Sequence, residues 1–258
     1  MKERYENLTV SIDDRIATVT FRREKDTNAF SRAMTLELTE LARELAEDGR
    51  SDAPEVAALI LTGGVGRSFS VGGDFNDVSA LKEPDQIRSY LDEILDLYIA
   101  LLEIEIPVVA AVDRWAIGQG LQVALMADVR IGTTGCRLQM PELKNGVACP
   151  LGSIILEVLL GRAQMLDLVV VCEAVDAPRA RAMYLLNQVT EPDDLEVAAR
   201  TAATRLGGYP RTSFVATKRI HNRRFVAALE GVRAPASEAH VEAFLRSTGK
   251  AHFEKILG

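Results

Sequence analysis

The chain has 258 residues, a formal net charge of −7, 48% hydrophobic residues and 26% charged residues. That suffices for one large or two modest domains with a buried core, in an ordinary soluble composition. The acidic balance argues against a nucleic-acid partner or an anionic membrane surface, and no uncharged apolar window of ~18 residues marks a membrane span.

Met1–Glu6 has no apolar h-region, so no signal peptide is expected. Leu8–Ile12 and Ile16–Phe21 alternate or are β-branched around Asp13-Asp14-Arg15, which predicts a β-hairpin. Ser31 is a good N-cap for a helix from Arg32 to about Glu47, with Met34, Leu38, Leu41 and Leu45 at helical spacing and Gly49 as its end. Val56–Thr62 is a continuous apolar run, expected to be a strand covered on both faces. After the glycine-containing loop Ser68–Asp74, Pro84-Asp85 starts a helix to about Glu103, carrying Ile87, Leu91, Ile94, Leu95, Tyr98 and Leu102 on one side. Val108–Val112 is a second buried strand. It leads into Gly118-Gln119-Gly120, which opens another helix. A short run, Cys136–Met140, then delivers Glu142.

Beyond Leu151, strand signals are sparse. Ser153–Leu160, Ala163–Cys172, Pro178–Leu185, Leu195–Leu206, Thr212–Leu229 and Pro235–Leu257 all have helical patterns. Strands alternating with helices imply βαβ units, so the fold class is α/β. The change to nearly all helix near residue 190 divides the chain into 1–190 and 191–258. The second part can pack on the core or on a neighbouring subunit.

Cys136, Cys149 and Cys172 have no metal-ligand spacing. An odd, sparse set is expected as small buried hydrophobes in a reducing cytoplasm. His221, His240 and His252 form no ligand pattern either, so no metal site is expected.

The chemistry lies in the two glycine loops. Each follows an apolar strand, and in parallel architecture both would sit at the same end of the sheet, where ligands bind. Two backbone N–H groups without acceptors, aimed at one carbonyl oxygen, make an oxyanion hole. Ordinary strand-to-helix turns would carry the same glycines. Glu142 in an apolar loop can serve as acid or base if desolvation raises its pKa, though a lone glutamate is more often a cap or surface charge. Gln119, Gln122 and Met126 share one helix face.

Asn28–Ser31, Phe69–Asp74, Ala111–Gly120, Ala127-Asp128 and Met140–Leu143 together resemble the crotonase (enoyl-CoA hydratase/isomerase) superfamily. The resemblance implies a spiral ββα core over 1–190 that binds an acyl-CoA thioester, and a C-terminal helical region, 191–258, that builds a homotrimer or a hexamer. It implies that the N–H groups of Gly73 and Gln119 hold the thioester oxygen while an enolate forms, with Glu142 as the acid/base. Ala29 and Phe30 match the family's adenine-pocket motif, and Ser70, Gly72 and Asp74 go with them on the coenzyme A side. Lys25, Arg32 and Arg67 flank these loops as candidate phosphate contacts. Tyr90, Trp115 and Gln122 are candidates for the acyl pocket, core packing being the competing role for Trp115. Coenzyme A enters as part of the substrate, and no prosthetic group is implied.

Hydratases of this family carry two glutamates, but here the first position is Gln122. A glutamine does not exchange protons near neutral pH, so paired addition of water is disfavoured. Phe69–Asp77, Met140–Lys144, Asp176–Arg179 and Leu186–Val189 are most similar to the carboxymethylproline synthases of carbapenem biosynthesis. That likeness implies malonyl-CoA and a small cyclic imine or semialdehyde amino acid as reactants. A Δ3,Δ2-enoyl-CoA isomerase, a malonyl-thioester decarboxylase and a catalytically silent acyl-CoA-binding protein are the competing expectations.

Overall fold

A computed structural model describes residues 5–25, 27–51 and 53–245. Strands β1 (Leu8–Asp13) and β2 (Ile16–Phe21) pair antiparallel, with Leu8 opposite Phe21 and Asp13 opposite Ile16. The two turn residues, Asp14 and Arg15, both have positive φ, 48° and 61°. Such a two-residue turn matches the twist of a hairpin. Helix α1 (Arg32–Arg50) begins where expected, the Ser31 side chain accepting from the Met34 N–H at 3.2 Å. It continues past Gly49, which lies inside the helix against Glu105 and Ile106.

Strand β3 (Ala58–Thr62) runs parallel to β2. Helices α2 (Phe75–Ala80) and α3 (Pro84–Glu103) then lead to β4 (Val108–Val112), parallel to β3. Next come β5 (Trp115–Ile117), α4 (Gln119–Leu125), β6 (Val129–Thr133) and β7 (Arg137–Gln139). Helices α5 (Pro150–Leu160) and α6 (Arg162–Val169) precede two short strands, β8 (Val175–Asp176) and β9 (Gln188–Thr190), with α7 (Ala177–Ala182) between them. Neither strand has a sequence signal, because two or three residues are too few for a period to register. Helices α8 (Leu195–Gly207), α9 (Arg211–Gly231) and α10 (Arg233–Leu245) complete the described chain. The expected extension of the last helix to Leu257 lies outside the described residues.

The main sheet has the order β1-β2-β3-β4-β6-β9, and a second sheet has the order β5-β7-β8. Parallel bridges Phe30 to Gly73 and Ser70 to Ala116 link the earlier turns of chain edge to edge as β5 and β7 link the later ones. Successive turns thus contribute to the main sheet and to a second ridge, and a helix closes each turn. This is the expected ββα spiral.

Both faces of the main sheet are covered, as the apolar runs required. Leu59, Leu61, Val108, Ala110 and Val112 face the larger core with α1 and α3. The alternate residues Ala58, Ile60, Val109 and Ala111 face Leu195, Ala199 and Ala203 of α8. Phe21 stacks edge-on with Phe30 and Phe69, at centroid distances of 5.3 and 5.0 Å.

The C-terminal helices pack on their own core. Lys218 of α9 is buried and donates to Asp128 at 2.6 Å and to the Ile106 carbonyl at 2.8 Å. Arg233 at the start of α10 pairs with Asp92 and Asp96 of α3, and Arg88 of α3 pairs with Glu238 of α10. These pairs lay α10 along α3 and bring its far end over the site.

Candidate active site

The chain leaves β3, turns through Ser68–Asp74 and bridges Phe30. In that parallel bridge the Phe30 N–H donates to the Gly72 carbonyl and the Asp74 N–H donates to the Phe30 carbonyl. The N–H of Gly73, between them, therefore points the other way and has no acceptor among the described residues. The chain leaving β4 passes β5 and starts α4 at Gln119. As the first residue of the helix, Gln119 has no intrahelical acceptor for its N–H either.

Glycine lets the two loops meet. Gly72 has φ of +96°, and a Cβ there would stand 2.9 Å from the Ile117 carbonyl and 3.6 Å from the Gln119 nitrogen. At Gly120 a Cβ would stand 2.5 Å from the Ser70 carbonyl. The loops are in backbone contact, and Gly73 and Gln119, the residues with the unpaired N–H groups, both line one cavity. Two preorganised donors of this kind are what stabilises a developing oxyanion.

That cavity measures about 140 Å³ and is mostly apolar, with Val78, Leu91, Ile94, Ile117 and Leu151 in its wall. Glu142 is the only carboxylate among the described residues that line it. Pro141 and Glu142 open a 3₁₀ turn (Leu143–Asn145), and the Glu142 carbonyl accepts from Asn145 and Val147, which fixes the loop. The Glu142 side chain reaches under Gly118 and α4. Its Oε1 accepts from Gln122 Nε2 at 2.8 Å, and its Oε2 has no partner among the described residues. Burial pushes its pKa up to about 7, against the lowering effect of hydrogen bonds from the loop backbone, Cys149 and Gln122.

Gln122 is held in turn. Tyr98 of α3 donates its hydroxyl to Gln122 Oε1 at 2.9 Å, which leaves Nε2 to face Glu142. Burial holds the Tyr98 phenol well above its ordinary pKa, so it remains a donor. Tyr98, Gln122 and Glu142 form one chain of hydrogen bonds ending at a free carboxyl oxygen.

A second cavity of about 500 Å³ adjoins the first and shares Val71, Gly73 and Phe75 with it. Arg22, Arg23 and Lys25 lie on its wall with Ala29 and Asp74. Glu6 and Glu24 share that wall, so its charge is mixed.

Most residues singled out from the sequence converge here. Gly72, Gly73, Tyr90, Gln119, Gln122 and Glu142 line the first cavity, and Ala29, Lys25 and Asp74 the second. The others do not. Trp115 lies outside both cavities and is 38% exposed, so it serves neither the acyl pocket nor the core. Phe30 is fully buried among Phe21 and the rest of the larger core, and it reaches the site only through its backbone bridge to Gly73. Ser70 is also fully buried, accepting from the Gly72 N–H at 3.2 Å, and so shapes the loop without touching the cavity. Asp74 caps α2 and pairs with Arg23 at 2.8 Å. Arg32 is engaged by Glu93, and Arg67 donates to the Arg23 and Lys25 carbonyls, holding the loop rather than a ligand.

Tyr98, Cys149, His240 and Arg23 were not anticipated as site residues. Tyr98 shares a helix face with Tyr90, eight residues earlier, and that polar pair on an apolar stripe was the available signal. His240 comes from α10, where nothing local marks it. Its Nδ1 lies 2.8 Å from the Ala236 carbonyl, and burial lowers its pKa. The three cysteines are buried and free, as expected.

Residues 11–255 match the family model for enoyl-CoA hydratase/isomerase. A protein named carboxymethylproline synthase, from Pectobacterium carotovorum subsp. carotovorum, is 38% identical over 246 residues, covering 95% of this chain and 96% of that one. A probable enoyl-CoA hydratase of Mycobacterium bovis is 30% identical over 226 residues, 87% of this chain and 84% of the relative. Among solved structures, ThnE from S. clavuligerus aligns with a TM-score of 0.77 and 35% identity, covering 90% of this chain and all of that one. An enoyl-CoA hydratase/isomerase from Mycobacterium paratuberculosis aligns over 98% of this chain with a TM-score of 0.88 and 23% identity, which speaks for the fold. With the spiral fold, the paired backbone donors and these matches together, the chain belongs to the enoyl-CoA hydratase/isomerase, or crotonase, family.

Proposed function

We propose that this chain is a carboxymethylproline synthase. The observation that carries the reading is that Glu142, the sole carboxylate lining the cavity among the described residues, is hydrogen-bonded by the amide of Gln122. A second carboxylate there would provide the acid/base pair that water addition needs. An amide provides none.

The thioester oxygen of malonyl-CoA is held by the N–H groups of Gly73 and Gln119. The bond from the α-carbon to the carboxylate breaks, CO₂ leaves, and its electron pair becomes the enolate that these donors stabilise. No base is required for that step. The enolate carbon attacks the imine carbon of pyrroline-5-carboxylate to form the new C–C bond. Glu142, with a pKa near 7, then takes a proton from water as its oxygen bonds to the thioester carbon, and returns that proton to the sulfur as the C–S bond breaks, releasing coenzyme A and carboxymethylproline. Arg22 and Lys25 in the wall of the second cavity suit the phosphates of coenzyme A, whereas Arg23 is engaged by Asp74. The similarity to a relative of that name supports the same reading. Residues 191–258 are proposed to join subunits into a trimer or a pair of trimers, in the cytoplasm.

Mass spectrometry of products from malonyl-CoA with and without pyrroline-5-carboxylate tests the proposal. Carboxymethylproline with free coenzyme A is expected. Release of CO₂ without a new C–C bond, or no turnover, refutes it.

A second reading rests on the pKa of Glu142. A single carboxyl poised near 7 also suits the proton shuttle of a Δ3,Δ2-enoyl-CoA isomerase. Conversion of a 3-enoyl-CoA to its 2-enoyl isomer, in the absence of malonyl-CoA turnover, favours that reading. A decarboxylase acting on a carrier-protein malonyl thioester would release CO₂ and form no product with the imine.

A further inference from the structure

The oxyanion hole uses only the backbone of Gln119. The residue is buried, 7% exposed, and its side chain is held by a residue on another helix. Gln119 Nε2 donates to Thr35 Oγ1 at 3.2 Å, while the Thr35 hydroxyl donates its own proton to the Ser31 carbonyl at 3.1 Å. A hydroxyl has one proton. Were the amide reversed, Thr35 would have to turn that proton to Gln119 and leave Ser31. The pairing therefore sets the Gln119 carbonyl facing away from Thr35.

That oxygen has no partner among the described residues. It stands 3.5 Å from the point a Cβ on Gly73 would occupy, and the Tyr90 hydroxyl stands 3.0 Å from the same point. Gln119, Gly73 and Tyr90 all line the cavity that holds Glu142. A buried amide oxygen left unpaired is costly, and the residue that carries it lines a ligand cavity, so a ligand that donates would satisfy it. A malonyl carboxylate has no proton to give, and a thioester carbonyl has none either. A protonated cyclic imine has one, on its ring nitrogen.

We infer that the side-chain carbonyl of Gln119 accepts the ring N–H of the protonated imine, which makes Gln119 a specificity-determining residue of this chain. The inference rests on the function proposed above. When the enolate carbon bonds to the imine carbon, the C=N π pair moves onto nitrogen. The positive charge on nitrogen and the negative charge of the enolate cancel. The nitrogen keeps its proton throughout, so no acid is needed at that end, and the same N–H remains on Gln119 in the product.

The test compares binding of carboxymethylproline with that of its analogue carrying a ring oxygen in place of N–H, by calorimetry, in the wild type, Gln119→Leu, Gln119→Glu and Thr35→Val. The wild type is expected to prefer the N–H ring by about tenfold or more. Gln119→Leu should reduce the ratio to within about twofold, Gln119→Glu should retain it because an acceptor remains, and Thr35→Val should lower it partly by freeing the amide. The Thr35→Val arm also serves if Gln119→Leu fails to fold. An unchanged ratio in Gln119→Leu or, failing that variant, in Thr35→Val overturns the inference, as does a wild type that binds neither ring or does not distinguish them. Wild-type discrimination without formation of a C–C bond in turnover would instead refute the proposed reaction and leave this acceptor standing. Product formation without discrimination would refute this inference alone.

Discussion

Gln122 Nε2 donates to Glu142 Oε1 at 2.8 Å, one of the hydrogen bonds that partly offset the burial of this carboxyl. Burial raises its pKa to about 7 against hydrogen bonds from the loop backbone, Cys149 and Gln122, and the neutral amide adds its share without adding charge. Two carboxylates at that distance could not both ionise near neutrality.

Gln122→Glu should therefore hold one proton between the two side chains. The apparent pKa of the ionisation that activates Glu142 is expected to rise above 7, and product formation at neutral pH to fall about tenfold or more. A pH–rate profile measures both. An unchanged profile would show that the amide does not govern Glu142.

Tyr98→Phe removes the donor that orients the Gln122 amide. Gln122 Oε1 is then left buried and unpaired, at an expected cost of about 1–3 kcal/mol. Freed to reverse, the amide would set an oxygen against Glu142, and the carboxyl pKa should rise further. Denaturant unfolding reads the first effect and the pH–rate profile the second. A merely structural phenol would move only the first.

Glu142 also makes stability depend on pH. Its folded pKa, about 7, lies above the ordinary 4.5, so the folded state prefers the proton. The cost of ionising it is absent below pH 4.5, grows as pH rises through the window between the two values, and is complete above about 7. At ~1.4 kcal/mol per unit, a difference of about 2.5 units amounts to roughly 3 kcal/mol. Glu142→Gln should thus stabilise the protein at pH 8 relative to the wild type, with the gain shrinking toward pH 5, while hydrolysis of the thioester is lost. Urea midpoints across pH 5–8 test the sign.

Gly120→Ala tests the contact between the two loops. The added methyl would meet the backbone carbonyl of Ser70 at 2.5 Å, which cannot give way cheaply. Separation of the loops would move the Gln119 N–H from the Gly73 N–H. A loss of about 10²-fold or more in kcat is expected, as for removal of one oxyanion donor, together with a lowered Tm. Normal turnover would show that the loops tolerate separation.

The elements were legible where a local pattern is long enough to carry a period. The hairpin, the start of α1 at Ser31, and α3 from Pro84 to Glu103 stand where the sequence placed them. Strands β8 and β9 were missed because a strand of two or three residues is defined by its partner, not by its own composition. The same limit misled the side-chain assignments at the coenzyme A end. Phe30 and Ser70 sit in loops that do shape the site, yet both side chains turn inward. Arg32 and Arg67 are basic and adjacent to the loops, yet Glu93 and nearby carbonyls occupy them. Exposure and competing partners are not written in a motif.

By itself the sequence determined the parts of this protein that depend on backbone demands close in the chain. It placed glycines where the loops need positive φ or close approach, Glu142 directly after Pro141, and an amide at 122 on the helix that starts beside the hole. Only the tertiary structure decided what those groups face. Tyr98 reaches Gln122 from 24 residues away, Gln119 is turned by Thr35 from 84 residues away, and His240 arrives on the last described helix. Hydrogen bonds and desolvation act through space, so the pKa of Glu142 and the direction of the Gln119 carbonyl are properties of the packed cavity.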